Sequence, residues 1–311
     1  MSNSDLVAIL ARFLGDALVL VLLYDFFSQP FRFYGMDPLT QFVWSAARKI
    51  CLPFETVSRK IVRLPDRDLT PLFALVIVLF CRGLLYAATA IGSGGGVATV
   101  VVGVTLSFLE LFTRLLIPGI LFLIYIDIQL ARHQESFIGN VFVMILHDIA
   151  KRFVVLIRKV LFSYKPLYVF ISVFIFLSLF KWVLVFATLL PFSQSNVMSA
   201  FPQILQPLSL DLIDRPLLLL PVVMFRLGST FLYGIFILLL LNMLTSFSGL
   251  DPYDRFAVLL GLVCSPWVIF ARRFFSFARV GNIDFSVAIL LIIIFMVQGV
   301  IEGVLRSLGG L

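Results

Sequence analysis

Charged and amide side chains interrupt the apolar stretches of this sequence, and these residue types could conduct ions, join helices or bind a partner. Arg82 is the clearest case, because it lies deep inside an apolar stretch that starts at Pro71. A charge at the centre of a bilayer costs about 2.5–3.5 kcal/mol on insertion scales, so it must face water or a partner. The complete set is Arg12, Asp16, Arg82, Glu110, Arg114, Lys181, Arg226, Gln298 and Glu302.

Sequence spacing predicts local partners for several of these charges. Oppositely charged residues four positions apart share one face of a helix and can pair there. The pairs with this spacing are Arg12–Asp16, Glu110–Arg114 and Glu302–Arg306. Arg226 has no acid at this spacing, so its partner must lie on another helix or outside the chain. Three interpretations stay open: charges that hold helices together, an ion or proton path, and docking of a partner membrane helix.

Other reactive residue types do not form a recognisable site. The glycine-rich stretch 92–96 lacks the Gly-Lys-Ser/Thr ending of a phosphate-binding loop, which favours a flexible hairpin. His133 and His147 have no second ligand at metal-binding spacing. The sequence contains no Ser/His/Asp set, no paired catalytic carboxylates and no redox pair. We therefore expect no catalytic site, no metal, no cofactor and no enzymatic activity.

The composition indicates that membrane helices position these residues. Of the 311 residues, 61% are hydrophobic and 13% charged, and the mean hydropathy is +1.10. Apolar windows of about 20 residues match the thickness of a bilayer core. The predicted spans are 6–27, 71–91, 105–127, 167–190, 216–247 and 285–305, with a kink expected at Pro118 in the third.

The distribution of basic residues predicts the topology. Of the 24 Lys and Arg, 17 fall in the stretches 28–70, 128–165 and 247–283. By the positive-inside rule these stretches are cytoplasmic, so both termini face outward. A membrane surface thus explains the net charge of +7, and we expect no nucleic-acid partner. Of the three cysteines, Cys51 and Cys264 lie on the predicted cytoplasmic side, so we expect reduced thiols.

A repeated phrase divides the chain into related units. The sequence CLPFETVSRK at 51–60 matches CSPWVIFARR at 264–273, with a Pro followed six residues later by a basic pair. A weaker copy, without the Pro, has its basic pair at Arg158 and Lys159. The repeats predict three units at 1–92, 97–190 and 216–311, with an outer loop at 191–215. Arg82, Lys181 and Gln298 fall at or near corresponding places in the three units.

The basic stretch of each unit reads as an amphipathic helix that lies in the membrane plane. Apolar residues recur there at three- and four-residue steps, and basic residues fall between them. Pro53 and Pro266 should kink or break two of these helices. The basic residues expected to bind anionic headgroups are Arg48, Lys49, Arg59, Lys60, Arg63, Lys151, Arg152, Arg158, Lys159, Arg272, Arg273 and Arg279.

The repeated phrase and the residues that follow it resemble the YggT family of small integral membrane proteins. The residues that carry the resemblance are Pro53, Asp68, Thr70, Pro266, Asp284 and Ser286, with Gln298 in the last span. Family members commonly contain one or two such units, so a third is a departure. The resemblance implies a non-enzymatic membrane protein, with links to osmotic stress, potassium homeostasis and envelope organisation in bacteria.

The sequence thus predicts an all-α membrane protein with six transmembrane helices and three cytoplasmic in-plane amphipathic helices, in three tandem repeats. We expect a multi-pass protein of the bacterial inner membrane that scaffolds, assembles or modulates a larger membrane complex. Its expected partners are anionic lipid headgroups and either another membrane protein or further copies of itself. The alternative is a cation (potassium) channel or transporter, or its subunit, in the osmotic stress response.

Overall fold

The computed structural model describes residues 3–29, 38–61, 68–90, 97–131, 145, 147–152, 154–155, 166–189, 216–247, 255–280 and 283–309. Helices dominate these residues because their apolar stretches are long and contain few of the turn signals that bound short strands. The first part contains α1 (Asn3–Ser28), α2 (Pro38–Ile61), α3 (Thr70–Ala90) and α4 (Val97–Glu110). A π-helix (Leu111–Leu116) joins α4 to α5 (Ile117–Leu130).

The second part continues with α6 (Pro166–Leu189), α7 (Pro216–Phe247) and α8 (Arg255–Phe274). A short 3₁₀ turn (Ser276–Ala278) leads into β1 (Arg279–Val280), which pairs antiparallel with β2 (Ile283–Asp284). The last helix is α9 (Ser286–Gly309). The Ser286 hydroxyl donates to the Phe275 carbonyl at 3.2 Å, which fixes the start of α9 against the end of α8.

Among the described residues, six helices are long and apolar enough to cross a membrane, so this is an all-α, multi-pass membrane protein. Their apolar stretches are Thr70–Ala88, Val97–Leu130, Tyr168–Thr188, Leu219–Thr245, Ala257–Phe274 and Ser286–Ser307. Five of them coincide with predicted spans, whereas the predicted span 6–27, which lies in α1, is not among the six. The sixth lies in α8, which was expected in the membrane plane, and its hydropathy of 1.5 is the lowest of the six. The in-plane position of α8 stays a prediction, since length and composition would also let it span.

Both proline-containing amphipathic helices continue through their prolines, so the prolines do not break them, and the expected alternative, a kink, stays a prediction. α2 contains Pro53 and α8 contains Pro266 in their interiors. A proline removes one backbone donor and displaces a carbonyl of the preceding turn. In α8 the Tyr125 hydroxyl donates to the Val263 carbonyl at 2.8 Å, so a side chain supplies a donor in that turn.

The chain forms two compact units, and the first consists of Met1–Ile117, Phe137–Ile149 and Lys181–Ile213. Within it, α1 lies along α3, and α4 packs against the same helix. At one end the Gln29 amide exchanges two hydrogen bonds with the Asp68 backbone, at 2.7 and 3.1 Å. Asp68 Oδ1 in turn accepts from the Thr70 N–H and hydroxyl, which caps α3.

α2 packs across the ends of α1 and α3 within the first unit. The Tyr24 and Thr40 hydroxyls share a 2.7 Å hydrogen bond, and Trp44 Nε1 donates to Ser28 Oγ at 2.5 Å. Cys51 joins a core cluster with Val19, Leu22, Ala74, Leu75, Leu79 and Leu111. Arg48 and Lys49 lie on the exposed face of α2. The predicted amphipathic character of this helix is therefore confirmed.

The second unit comprises Pro118–Ser136, Ala150–Phe180 and Asp214–Leu311. Inside it, α7 packs against both α8 and α9. Aromatic rings fill the space beside α7, with centroids separated by 5.2 to 6.3 Å, and they belong to Phe122, Tyr125, Phe170 and Phe231. Offset and edge-to-face ring contacts of this kind stabilise packing beyond the area they bury. This division into two units does not test the three repeats expected from the sequence, and their boundaries stay a prediction.

Two glycines bring the backbones of α3 and α4 into direct contact. A Cβ added at Gly83 would lie 2.5 Å from the Val104 Cα, and one added at Gly103 would lie 2.6 Å from the Gly83 carbonyl oxygen. Small residues are what membrane helices use to approach so closely. Because the obstacles are backbone atoms, no side-chain rotation can relieve them.

We predict that Gly103→Ala lowers the free energy of unfolding by about 1–3 kcal/mol, since overpacking must push α3 and α4 apart. Denaturant titration of the purified protein in detergent micelles would measure this change. Gly119→Ala is the matched control, because a Cβ at Gly119 meets no atom within 4 Å. An equal effect of the two substitutions would contradict the proposed backbone contact.

Candidate functional site

Arg82 lies buried among α1, α3 and α4, and its guanidinium is held on several sides. Its side chain is only 2% exposed. Nη1 donates to Asp16 Oδ1 at 2.8 Å, while Nε donates to Ser107 Oγ at 2.9 Å and Nη2 to the Ser107 carbonyl at 2.5 Å. Ser107 Oγ extends this series of hydrogen bonds by donating to the Leu79 carbonyl at 2.8 Å. One cation therefore binds both neighbours of the helix that carries it.

Glu110 forms the second centre of the same site. Its Oε1 accepts from Arg12 Nη2 at 2.5 Å, and its Oε2 accepts from the Tyr86 hydroxyl at 2.8 Å. Arg82 Nη2 stands 3.9 Å from Oε2, and its guanidinium carbon lies 5.9 Å from the centre of the Tyr86 ring. Both carboxylate oxygens of this buried acid are thus paired, as a buried charge requires.

Asp16 connects the buried part of the network to a more open part. Its Oδ2 lies 3.9 Å from Arg114 Nη1, so this carboxylate faces two guanidinium groups. Arg114 is 51% exposed and Asp16 25%, whereas the side chain of Glu110 is 5% exposed. Among the side chains that the structure describes, the network contains three arginines and two acids. Its formal charge is therefore +1.

Local backbone features position these groups. Gly15 leaves room for the Arg82 side chain, because a Cβ there would lie 2.8 Å from Arg82 Cδ. The π-helix begins directly after Glu110, and the Ile117 N–H donates to the Phe112 carbonyl five residues back. The π-helix ends two residues before Pro118, where a kink was predicted. Sharp kinks in helices occur at prolines and at π-bulges. Arg114 lies on this π-helix.

The predicted pairing of charges along single helices is wrong in the first unit. Arg12 pairs with Glu110 across 98 residues of sequence rather than with Asp16. Asp16 pairs with Arg82 across 66 residues, and Glu110 does not pair with Arg114. The close approach of α1, α3 and α4 thus pairs charges that are far apart in the sequence. The interpretation that charges join helices describes the geometry of this network.

The second unit places three of the predicted polar residues on facing helices. Glu302 on α9 lies close enough for its charge to act on the Arg226 guanidinium of α7, and the expected ion pair of Arg226 with another helix stays a prediction. The predicted Glu302–Arg306 ion pair does not form among the described residues. Gln298 lies one turn before Glu302, and its Nε2 is buried without a hydrogen-bond partner in the described part of the chain. Lys181, in the first unit, is buried at 8% exposure.

An open groove of about 430 Å³ runs between α7 and α9 beside Gln298. Polar side chains line much of it, and Gly299 leaves its floor open because a Cβ there meets no atom within 4 Å. The lining residues are Ser229, Thr230, Tyr233, Phe295, Gln298, Gly299 and Glu302. Gln298 is 12 residues from Ser286 and 11 from Gly309, about 17 Å from either end of α9. The groove thus places polar groups in the middle of an apolar helix.

The predicted surface cations are only partly described. Arg48, Lys49, Lys151, Arg152, Arg272 and Arg273 are exposed. Arg63, Arg158, Lys159, His133, the stretch 92–96 and the loop 191–215 lie outside the described residues, as do the side chains of Arg59, Lys60, Arg279 and Asp284. Of the family-motif residues, Asp68 caps α3 through Thr70, and Ser286 bonds the end of α8. Pro53 is exposed within α2.

Sequence reasoning missed Tyr86, Ser107 and the glycines that bring the network together. Ser107 lies four residues after Gly103, and Gly83 directly follows Arg82. A Gly-x-x-x-Ser spacing in an apolar stretch is the signal of close helix packing that could have indicated α4 as the partner of Arg82.

No protein-family model, curated protein or solved structure matches this chain. The resemblance to the YggT family therefore stays a prediction. Among the described residues, no group of His, Cys, Asp and Glu could hold a metal ion, and the three cysteines are free thiols.

We predict that Arg82→Gln lowers the free energy of unfolding by about 3–5 kcal/mol, because it leaves buried acids without their cation. Chemical denaturation in detergent would measure the loss. The control is Arg306→Gln, an exposed arginine near the end of α9 that should change stability by less than about 0.5 kcal/mol. Arg82→Lys should fall between the two, since an ammonium cannot reproduce the guanidinium fork. Wild-type stability of Arg82→Gln would rule out a structural role for the network.

Proposed function

We propose that this chain is a YggT-type, non-enzymatic subunit that scaffolds or assembles a larger complex in the bacterial inner membrane, with both termini outside. The groove between α7 and α9 is the observation that carries the proposal. Its Gln298 and Glu302 present hydrogen-bonding and charged groups within an apolar helix. Lipid tails cannot satisfy such groups, whereas side chains of another membrane protein can.

The low self-burial of the second unit supports the same proposal. Only 17% of the apolar stretch Leu219–Thr245 in α7, and 17% of Ser286–Ser307 in α9, is buried inside the chain. The corresponding shares are 44% for Thr70–Ala88 in the first unit and 50% for Val97–Leu130, which begins in the first unit and ends in the second. A helix that carries polar groups but little internal packing has surface available for protein contact. Either a second copy or another membrane protein could supply that contact.

The geometry of the first unit favours this function over cation transport. Arg82, the charge nearest the middle of α3, donates to Asp16 and Ser107 and so occupies the acceptors that a permeating cation would need. The network is also positive overall, which repels cations. Its charges therefore suit the joining of helices better than a path for ions.

We predict that the chain migrates in mild detergent as part of a species larger than its own 35.0 kDa, and that Gly299→Leu shifts it to the monomer. The leucine would fill the floor of the groove and exclude a neighbouring helix. Native gel electrophoresis of solubilised membranes, with chemical cross-linking beforehand, would measure this shift. Gly119→Leu is the matched control, because Gly119 is also free of neighbours but lies on α5.

Two results would contradict the proposed function. One is a strictly monomeric wild-type protein that cross-links to nothing. The other is a potassium flux into proteoliposomes that requires the wild-type chain and disappears in a folded Arg82→Ala variant.

A further inference from the structure

The exposed guanidinium of Arg114 lies near the middle of the apolar stretch Val97–Leu130, which is the depth expected of a bilayer centre if this stretch spans. Its Nη1 is 3.9 Å from Asp16 Oδ2, and Asp16 is 13 residues from Asn3 and 12 from Ser28 in α1. At 1.5 Å per residue, that puts Asp16 about 18–20 Å from either end of the helix. α1 lies along the membrane-spanning α3, because Gln29 bonds to Asp68 at one end and Asp16 bonds to Arg82 near the middle.

The acids of the network do not fully balance its positive charge beside Arg114. Arg82 and Arg12 are largely enclosed, and the two acids of the network contact them directly. Asp16 already accepts a short hydrogen bond from Arg82 and reaches Arg114 only at 3.9 Å. Half of the Arg114 side chain is exposed, although the surroundings are apolar. The described side chains therefore leave one positive charge, at Arg114, without an acid of its own.

The surface next to Arg114 suits a helix. Along α1, exposed apolar residues recur at three- and four-residue steps, and those with the largest exposed fractions are Phe13 at 72%, Leu14 at 59% and Leu20 at 54%. Ala17, between them, is also exposed and leaves space for close approach. Asp16 borders this face, so a helix packed on it would pass beside the Arg114 guanidinium.

We propose that this face binds a transmembrane helix of a partner protein that carries one carboxylate at mid-membrane depth, which pairs with Arg114. Such a residue would bring the network to three arginines and three acids. A lipid phosphate has the right charge but the wrong depth, since headgroups begin about 15 Å from the bilayer centre. The inference rests on the proposed function as a complex subunit, and it involves none of the residues that line the α7–α9 groove.

Designed peptides can test the charge requirement directly. The full-length protein would be placed in lipid nanodiscs that contain 20% or so phosphatidylglycerol, an anionic fraction high enough to offer headgroups as a competing source of charge. Fluorescent Leu/Ala helices of about 20 residues, flanked by lysines, would carry a central Glu or the isosteric Gln. We expect the Glu peptide to bind about tenfold or more tightly than the Gln peptide, as pairing of close charges requires.

Substitutions then assign the preference to Arg114. Arg114→Gln should remove the preference for the Glu peptide, Arg114→Lys should retain part of it, and Arg306→Gln should leave it unchanged. Arg114→Gln should also unfold at nearly the wild-type denaturant concentration, because Arg114 is the most exposed of the three arginines. The peptide comparison on the wild-type protein needs no variant, so it decides even if Arg114→Gln does not fold.

Three outcomes would overturn the inference. The first is equal binding of the Glu and Gln peptides to the wild-type protein, and the second is an unchanged preference in folded Arg114→Gln. In the third, the wild-type protein shows no preference between the peptides but retains bound phosphatidylglycerol, and Arg114→Gln loses this lipid. Arg114 would then be assigned to binding a lipid headgroup. None of these results depends on migration in the native gel, so the inference and the proposed function can fail separately.

Discussion

The first unit depends on the burial of one guanidinium group inside an apolar helix. A charge in that position is tolerated only if fixed acceptors replace the water it has lost. Arg82 obtains them from α1 and α4 at once, through Asp16, the Ser107 hydroxyl and the Ser107 carbonyl. Because these acceptors occupy definite positions, the burial also fixes how far each helix can slide along α3. Apolar packing alone would tolerate several such positions.

The two units treat their polar groups differently. In the first, Glu110 and Arg12 lie within a network that neighbouring helices enclose. In the second, Gln298 and Glu302 line a groove that opens outward, and the helices around it bury little of their own surface. The first unit therefore satisfies most of its polar groups from within. The second places similar groups along an open groove, where a neighbouring molecule can reach them.

Composition and spacing predicted the class of fold and the importance of Arg82, because both follow from the cost of placing a charge in an apolar environment. The amphipathic character of α2 also followed from its residue pattern. The partners of Arg82 could not be predicted in the same way. The four-residue rule considers one helix at a time, whereas Asp16 and Ser107 reach Arg82 from other helices. Their approach depends on the absence of side chains at Gly15, Gly83 and Gly103, which matters only once the helices are in place.

The sequence also could not predict how each proline changes its helix, because that change depends on local geometry. Pro118 indicated a distortion in the third apolar stretch, but its form depends on how the surrounding turns share hydrogen bonds. The structure resolves it as the π-helix Leu111–Leu116. At Pro53 and Pro266 the same residue type leaves the helix unbroken. Sequence alone therefore located the strained turns without specifying how each is relieved.

The π-helix has a further consequence for how α4 and α5 could have evolved together. It accommodates one more residue than an α-helix of the same rise, which turns everything after it by about 100° about the helix axis. Arg114 lies within this bulge, so its direction relative to Ser107 differs from the direction it would have on an uninterrupted α-helix. A single inserted codon could have created this offset, and with it the direction in which the Arg114 guanidinium leaves the helix.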